Sequence, residues 1–204
     1  MKMKITLIIL GILVLAVIIV QIYAMKSQSS IENYPYKIVK SFSKFEIRNY
    51  EATLFTSVKL TTNNYKEASG KGFSILAGYI FGGNETKEKI AMTSPVSMSL
   101  EDTMTMMFMV PKKFSKENLP KPNQSSIEFR EEPSKTMAAI TFGGWANSNK
   151  IEAYKNKLKT ALEEEGISYS NKFYFFGYNP PFEILNRKNE VLVELPDVSI
   201  NLKK

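Results

Sequence analysis

The sequence predicts an α+β fold, in which a mostly antiparallel sheet, curved towards a barrel, carries two helices and follows one N-terminal transmembrane helix. Three observations support this prediction. Several short runs alternate apolar and polar residues with the period of two that is typical of strands. Two longer stretches, 65–81 and 147–165, repeat apolar residues at helical spacing. The chain also begins with an aliphatic run long enough to cross a bilayer.

The composition excludes several kinds of site. The 204 residues suit one globular domain with an appendage, and they include neither Cys nor His. Disulfides, thiolate or histidine nucleophiles, His-ligated zinc and proximal-histidine haem ligation are therefore excluded. The formal charge of +7 falls to +4, from 24 basic and 20 acidic residues, once Lys2, Lys4 and Lys26 beside the first apolar run are set aside. This weak, dispersed charge does not indicate a nucleic-acid partner.

Residues 1–25 are interpreted as a transmembrane signal-anchor. The 21 residues from 5 to 25 are almost all apolar, which is enough to span about 30 Å of hydrocarbon at 1.5 Å per residue. Lys2 and Lys4 precede the run and favour an N-inside orientation, with the domain on the periplasmic or extracellular side. A signal peptide cleaved near Ala24, giving a secreted protein, is the alternative. The polar residues 26–35 are interpreted as a tether.

The first half of the domain is predicted to contain strands at 45–50 and 53–60, a helix at 65–81, a strand at 90–96 and a hairpin of strands 96–100 and 103–110. Asn63 or Asn64 is expected to cap the helix, and Gly82 and Gly83 to end it. Six of the ten methionines lie between Met92 and Met109. They are either gap-filling core residues or an adaptable lining for a ligand.

The second half repeats the first. Strands are predicted at 127–131, 137–142, 173–178 and 191–195, with a helix at 147–165. Three landmarks recur at a spacing of 84 or 85 residues: Asn63 and Asn147, Pro95 and Pro180, Pro111 and Pro196. This constant offset predicts a tandem duplication of a β-helix-β-β unit. The duplicated domain is placed at residues 36–196, followed by a polar tail at 197–204.

The two predicted helices differ in how much of their surface is apolar. In the second helix the apolar residues form one ordinary stripe, whereas those of the first sweep roughly 240°, when one packing partner needs little more than about 100°. The excess face of the first helix carries Gly70, Phe73, Ala77 and Phe81, and Gly78 adds another place without a side chain. Either the glycines permit close packing between sheet and loop, or this face forms one wall of an apolar ligand groove. The difference between the helices favours the groove.

Five motifs in order resemble the SOUL/haem-binding protein family, over residues 36–195. They are Phe-Glu-Ile-Arg-Asn-Tyr-Glu at 45–51, Gly-Tyr-Ile-Phe-Gly-Gly-Asn at 78–84, Ile-Ala-Met-Thr-Ser-Pro-Val at 90–96, Phe-Gly-Gly at 142–144 and Gly-Tyr-Asn-Pro-Pro-Phe at 177–182. The resemblance implies duplicated β-helix-β-β units forming a distorted antiparallel barrel. It also implies that a tetrapyrrole binds in an apolar groove on the first helix.

Carried over to this sequence, the resemblance implies groove positions at Gly70, Phe73, Ala77, Gly78 and Glu183, to which the helix end and the following strand add Phe81 and Met92. Haem-binding relatives have basic side chains at the positions matching Gly70, Gly78 and Glu183. This chain has none there, and Lys71 and Arg187 are the nearest substitutes.

No metal-ligand cluster is predicted. With the histidine of some family members absent, Tyr79 and Met92 are the candidate axial ligands nearest the groove in sequence. We expect any haem iron to be ligated weakly or by water.

The sequence thus predicts a membrane-tethered SOUL-like binding protein for haem or another tetrapyrrole. A binder of a different flat apolar molecule, or of a partner protein, is an alternative. A third hypothesis is a small hydrolase or isomerase in which Glu183 beside Tyr178, or Glu51 beside Tyr50, supplies acid-base chemistry.

Overall fold

A computed structural model of the chain describes residues 2–28, 31–62, 64–101, 103–180 and 183–196, so Asn63 and the predicted tail at 197–204 lie outside the described residues. The helices and strands within these ranges are α1 (Lys2–Gln28), β1 (Glu32–Asn33), β2 (Tyr36–Ser41), β3 (Glu46–Tyr50), β4 (Thr53–Lys59), α2 (Tyr65–Ile80), β5 (Thr93–Ser94), β6 (Val96–Ser99), β7 (Thr105–Met109), β8 (Ile127–Glu132), β9 (Lys135–Gly143), α3 (Ser148–Glu164), β10 (Phe173–Gly177) and β11 (Lys188–Glu194).

Nine of these strands form one antiparallel sheet in the order β2-β3-β9-β11-β10-β6-β7-β4-β8. The sheet curls as a half-barrel with β2 and β8 at its edges, while β1 and β5 form a separate parallel pair. The predicted α+β fold with an antiparallel sheet is confirmed.

The strand order is symmetric about the pairing of β6 with β10. One side continues through β7 and β4, which belong with α2, and the other through β11 and β9, which belong with α3. Beyond these strands the two halves exchange partners. The strand β3 of the first half pairs with β9, and the strand β8 of the second half pairs with β4. The tandem duplication stays a prediction, with which this order is compatible.

Two segments differ from the predicted boundaries. The strand predicted at 90–96 is divided into β5 and the start of β6, because Pro95 between them has no amide to donate to a ladder. Packed structure also begins before Tyr36, within the residues interpreted as a tether. Tyr34 is 4% exposed, and its amide donates to the Ser94 carbonyl at 2.8 Å.

The central helix α2 has the ends that the sequence predicts. Asn64 caps it, accepting hydrogen bonds from the amides of Lys66 and Glu67. Beyond the last residue, Gly82 has a φ of 109°, a left-handed conformation that favours glycine.

Hydrophobic residues pack on both faces of the sheet. On one face α2 packs on β4 and β7, and α3 packs on β9 and β11. The opposite face carries a third cluster, which includes Tyr34, Tyr50, Phe55 and Phe176. The methionines of β7 are divided between the two faces of the sheet, with Met106 under α2 and Met107 in the third cluster, and both are buried.

A buried ion pair joins β3 to β11 within the third cluster. Both nitrogens of the Arg48 fork donate to the two oxygens of Glu190, at 2.9 and 3.0 Å. The Tyr178 hydroxyl donates to Glu190 at 2.6 Å. Burial acts to raise the pKa of Glu190, but the hydrogen bonds and positive charge of Arg48, together with the Tyr178 hydroxyl, outweigh it and lower the pKa below the usual value.

Replacing Glu190 with Gln is expected to lower the free energy of unfolding by about 3–5 kcal/mol at neutral pH, because Arg48 would remain buried without its anion. A carboxylate with a depressed folded pKa stabilises fully above its unfolded pKa, and this contribution disappears as the pH falls through the folded pKa. The wild type should therefore lose stability below about pH 4.5, the usual value for Glu, and the Gln variant should lose less. Urea titrations between pH 7 and pH 3 measure both effects.

The matched control is Glu164→Gln, which removes an exposed pair with Lys44. Exposed pairs contribute about 0–1 kcal/mol, so equal losses in the two variants would contradict the role assigned to the buried pair.

Candidate functional site

An open groove of about 1160 Å³ lies between α2 and the segment that leads into α3, above the pairing of β6 with β10. Its floor consists of sheet side chains, among them Met98, Met106 and Phe175. One wall is the first half of α2, and the other is the segment 145–149 at the start of α3. The loop 177–180 and Arg187 close one end.

The wall from α2 follows directly from helical periodicity. Tyr65, Ser69, Gly70 and Phe73 recur at the spacing of one helix face and all line the groove. The Tyr65 ring lies edge-on to Phe175 with 5.2 Å between centroids, and Phe73 lies 5.5 Å from Phe108. This wall and the floor therefore give an apolar surface.

Four of the residues predicted from the sequence lie at the groove. Gly70, Phe73 and Met92 line it, and Phe81, with 61% of its surface exposed, lies at its margin. Sequence periodicity and the family motifs thus identified residues that the fold brings together from α2 and the segment before β5.

The other three predicted residues do not line the groove. Ala77 is buried in the cluster beneath α2. Gly78 is exposed, with no neighbour within 4 Å of where a Cβ would stand. Glu183 is 4% exposed, and its backbone carbonyl accepts from Arg187 Nη1 at 2.6 Å.

The glycines of α2 have different surroundings. A Cβ at Gly72 would lie 3.0 Å from Leu60 Cδ1 and 3.1 Å from Met106 Cβ, so this glycine permits close packing of helix and sheet. A Cβ at Gly70 would meet nothing within 4 Å. Both interpretations of the glycines therefore apply, each to a different residue.

Sequence reasoning missed the second wall of the groove. Trp145 and the residues 146–149 come from the opposite half of the chain and reach α2 only because β6 pairs with β10. Tyr65 was predicted as part of the helix but not as a site residue. The available signal was Trp145 itself, a large apolar residue directly after the Phe-Gly-Gly motif in an otherwise polar segment.

The charges at the groove are positive. Lys66 and Arg187 line it, and none of the described lining residues is Asp or Glu. Lys71, one of the two substitutes suggested by the sequence, is not among these lining residues. A groove with this electrostatic character suits an anionic ligand better than a cationic one.

Arg187 is held in place by backbone carbonyls. Its Nη1 donates to the Pro180 carbonyl at 2.9 Å and to the Glu183 carbonyl. Its Nη2 donates to the Asn179 carbonyl at 3.3 Å. The guanidinium lies over the Trp145 ring, 3.9 Å from the centroid. Its Nε is buried without a hydrogen-bond partner among the described residues. Burial lowers the pKa of Arg187, but a guanidinium remains protonated at neutral pH.

Two tyrosines, Tyr65 and Tyr178, are among the residues that line the groove. The Tyr178 hydroxyl is engaged with Glu190 on the opposite side of the sheet. Burial raises the pKa of Tyr65, an effect that the positive charge of Arg187 opposes.

Of the two candidate iron ligands predicted from the sequence, Met92 lines the groove and Tyr79 does not. The Tyr79 hydroxyl donates to the Pro120 carbonyl at 2.8 Å, and burial raises its pKa to about 12. Over the described part of the chain, no cluster of acidic residues has the geometry of a metal site.

The candidate acid-base pairs do not converge on one cleft. Tyr50 is fully buried, and its hydroxyl accepts a hydrogen bond from Arg48 Nη1 at 3.1 Å, whereas Glu51 is exposed. Glu183 does not line the groove that Tyr178 lines. The enzyme hypothesis therefore gains no active-site geometry from these pairs.

The half-barrel sheet, its two helices and the groove between them define the class: an α+β domain with one large apolar cleft. The family model described as SOUL heme-binding protein matches residues 31–194. The chain belongs to the SOUL heme-binding protein family.

Similar proteins from animals are described as heme-binding proteins. Heme-binding protein 2 of Mus musculus is 30% identical over 169 residues, which cover 78% of this chain and 82% of the mouse protein. Heme-binding protein 1 of Sus scrofa is 29% identical, with coverage of 79% and 92%. Members of this family are generally binding proteins rather than enzymes.

Solved structures with lower identity share the fold. The C-terminal domain of EcmrR is 12% identical with a TM-score of 0.59, covering 80% of this chain and 99% of that domain. A structure described as a hydrolase from Listeria innocua is 10% identical with a TM-score of 0.54, covering 78% and 94%. At such identities the likeness concerns the fold alone.

The contacts of the glycines generate a stability prediction. Gly72→Leu should destabilise the domain by about 1–3 kcal/mol, because its side chain would overpack against Leu60 and Met106. Gly70→Leu should raise stability by up to about 1 kcal/mol, since it removes a helix-interior glycine and meets open space. Thermal melts compare the two variants, and a loss in Gly70→Leu as large as that in Gly72→Leu would contradict an open groove.

Proposed function

We propose that this chain binds haem or another planar, anionic tetrapyrrole in the groove between α2 and α3, and that α1 anchors it to a membrane. The observation that carries the proposal is the character of the groove in a member of a haem-binding family. Its surface is largely apolar, its charged side chains are Lys66 and Arg187, and its described lining has no carboxylate.

The size and surface of the groove support a ligand of this kind. Its volume of 1160 Å³ lies just above the range of about 300–1,000 Å³ that is usual for small-molecule sites. Phe73, Phe175 and the thioethers of Met98 and Met106 offer apolar contact to a flat ring. Gly70 leaves room against the backbone of α2.

The carboxylates of such a ligand would be held by Lys66 and Arg187. These two cations would take the place of the basic residues that the family resemblance implies at Gly70, Gly78 and Glu183. The carbonyls of residues 179, 180 and 183 and the Trp145 ring fix the Arg187 side chain, so binding an anion there requires little further ordering.

Haem iron, when bound, would supply its own coordination chemistry, for which the described lining offers the thioethers of Met92, Met98 and Met106 and the phenol of Tyr65. A phenol coordinates iron as phenolate, and burial raises the pKa of Tyr65. The Tyr178 hydroxyl already donates a hydrogen bond to Glu190. The affinity should therefore come from the ring and the carboxylates, and be micromolar, about −8 kcal/mol.

Titration of the domain with hemin and with metal-free protoporphyrin tests the site. The fragment 31–196 is suitable, because the three hydrophobic clusters consist of residues between 34 and 195. Both ligands should bind with similar micromolar affinity, and hemin should give a broad, modestly shifted Soret band. Gly70→Leu should weaken both by at least about tenfold, or 1.4 kcal/mol.

The matched control is Gly78→Leu, the same change on the same helix outside the groove lining, which should leave affinity unchanged. Equal loss in the two variants would place the ligand elsewhere. A sharp six-coordinate low-spin spectrum, or a hundredfold preference for hemin, would instead reveal a strong protein ligand to iron.

The membrane anchor rests on length and composition. The window Lys4–Gln21 has a mean hydropathy of 2.7 and is 7% buried, a combination that a signal sequence also shows. At 1.5 Å per residue, its 18 residues span about 27 Å, close to the hydrocarbon thickness of a bilayer.

Full-length protein should therefore remain in the membrane fraction after a carbonate wash, with its first residues intact. N-terminal sequencing measures whether α1 is retained. A mature protein that begins near Met25 and appears in the soluble fraction would instead support the signal peptide.

The symmetry of the strand order also supports the predicted duplication. We propose that β4-α2-β6-β7 and β9-α3-β10-β11 derive from one ancestral unit, whose two copies now form the two walls of the groove. The two helices contribute differently, because α2 lines the groove with its first half and α3 with its first residues alone.

A further inference from the structure

Large apolar side chains are exposed around the mouth of the groove. Outside α1, the described part of the chain has six large hydrophobic residues that are exposed: Ile38, Val39, Phe81, Trp145, Ile184 and Leu185. Phe81 and Trp145 line the groove, and Ile184 and Leu185 precede Arg187, which stacks on Trp145. We call Phe81, Trp145, Ile184 and Leu185 the rim.

The N-terminal helix meets this rim. The side-chain oxygen of Gln21 accepts a hydrogen bond from the Ile184 amide at 3.0 Å, and Gln21 is 8% exposed although the apolar residues before it are open. Gln21 is also the last residue of the apolar window Lys4–Gln21. The end of the membrane-spanning stretch is therefore within one hydrogen bond of the rim.

This contact fixes the height of the rim relative to a bilayer. If α1 crosses the bilayer, Gln21 lies within about one helical turn of the outer boundary of the hydrocarbon, whether the span ends at residue 21 or at residue 25, and Ile184 lies at the same level. Tryptophan and arginine favour this interfacial layer, where an apolar body contacts acyl chains and a polar group contacts headgroups. The stacked pair of Trp145 and Arg187 has this composition.

We propose that the rim inserts into the outer interface of the bilayer that α1 crosses, so that the groove opens onto lipid and takes its ligand from the membrane phase. The partner is the headgroup and upper acyl region of phospholipid. The ligand class is narrowed to planar anions that partition into membranes. This inference rests on the membrane anchor of the proposed function.

Trp145 is the only tryptophan of the chain and therefore reports directly on the rim. Full-length protein is reconstituted in phospholipid vesicles with and without bromine on the upper acyl carbons. Brominated lipid should remove most of the Trp145 fluorescence, and iodide in the water should quench little. Equal fluorescence in both lipids, with strong quenching by iodide, would overturn the inference.

A pair of double variants tests which apolar residues hold the rim in lipid. Ile184→Ser with Leu185→Ser keeps the Ile184 backbone amide but should abolish most of the quenching by brominated lipid. Ile38→Ser with Val39→Ser, an equivalent change on the edge strand β2, should leave the quenching unchanged. Equal effects of the two changes would contradict the rim.

Transfer of ligand supplies a second readout. Vesicles that contain metal-free protoporphyrin should load the wild type and the Ile38/Val39 variant at similar rates, and the Ile184/Leu185 variant several-fold more slowly. If the fragment 31–196 binds protoporphyrin but Trp145 is not quenched by lipid, this inference fails and the binding function stands. If Trp145 is quenched but no porphyrin binds, the binding function fails.

Discussion

The pairing of β6 with β10 is the constraint on which the rest of the molecule depends. It is the junction between the two halves of the sheet, with Met98 opposite Phe175 and Val96 opposite Gly177. Because each half carries its helix on the same face of the sheet, this pairing places α2 and α3 side by side on that face. The groove is the space that remains between them, and the residues of the junction form its floor.

The opposite face of the sheet combines a buried ion pair with its apolar packing. Arg48 and Glu190 join β3 to β11, and the Tyr178 hydroxyl connects the same carboxylate to the end of the groove. A buried pair of this kind contributes little against an apolar equivalent but costs much when half removed. The loop that carries Tyr178 is thus held by an interaction on the side of the sheet opposite the groove.

The sequence predicted what depends on local periodicity. The capped helix α2 and the groove position of Gly70 and Phe73 follow from a face repeated every 3.6 residues. Ala77 lies on the same face but is buried in the core cluster, although Phe81 further along the helix lies at the groove. Periodicity determines which way a residue points and not which neighbouring residues cover it. Trp145 was beyond reach for a related reason, because only the pairing of β6 with β10 brings it to α2.

Charge at the groove shows why matching single positions to a family is a weaker guide than the geometry of the whole site. The family resemblance implies basic residues at the positions of Gly70, Gly78 and Glu183, and of these three only Gly70 lines the groove. Positive charge is nevertheless present, supplied by Lys66 from the first turn of α2 and by Arg187 from the loop before β11. The attraction between a carboxylate and a cation depends on the distance between them and not on the strand or helix that carries the cation. The absence of basic residues at Gly70, Gly78 and Glu183 is therefore compatible with a positively charged groove.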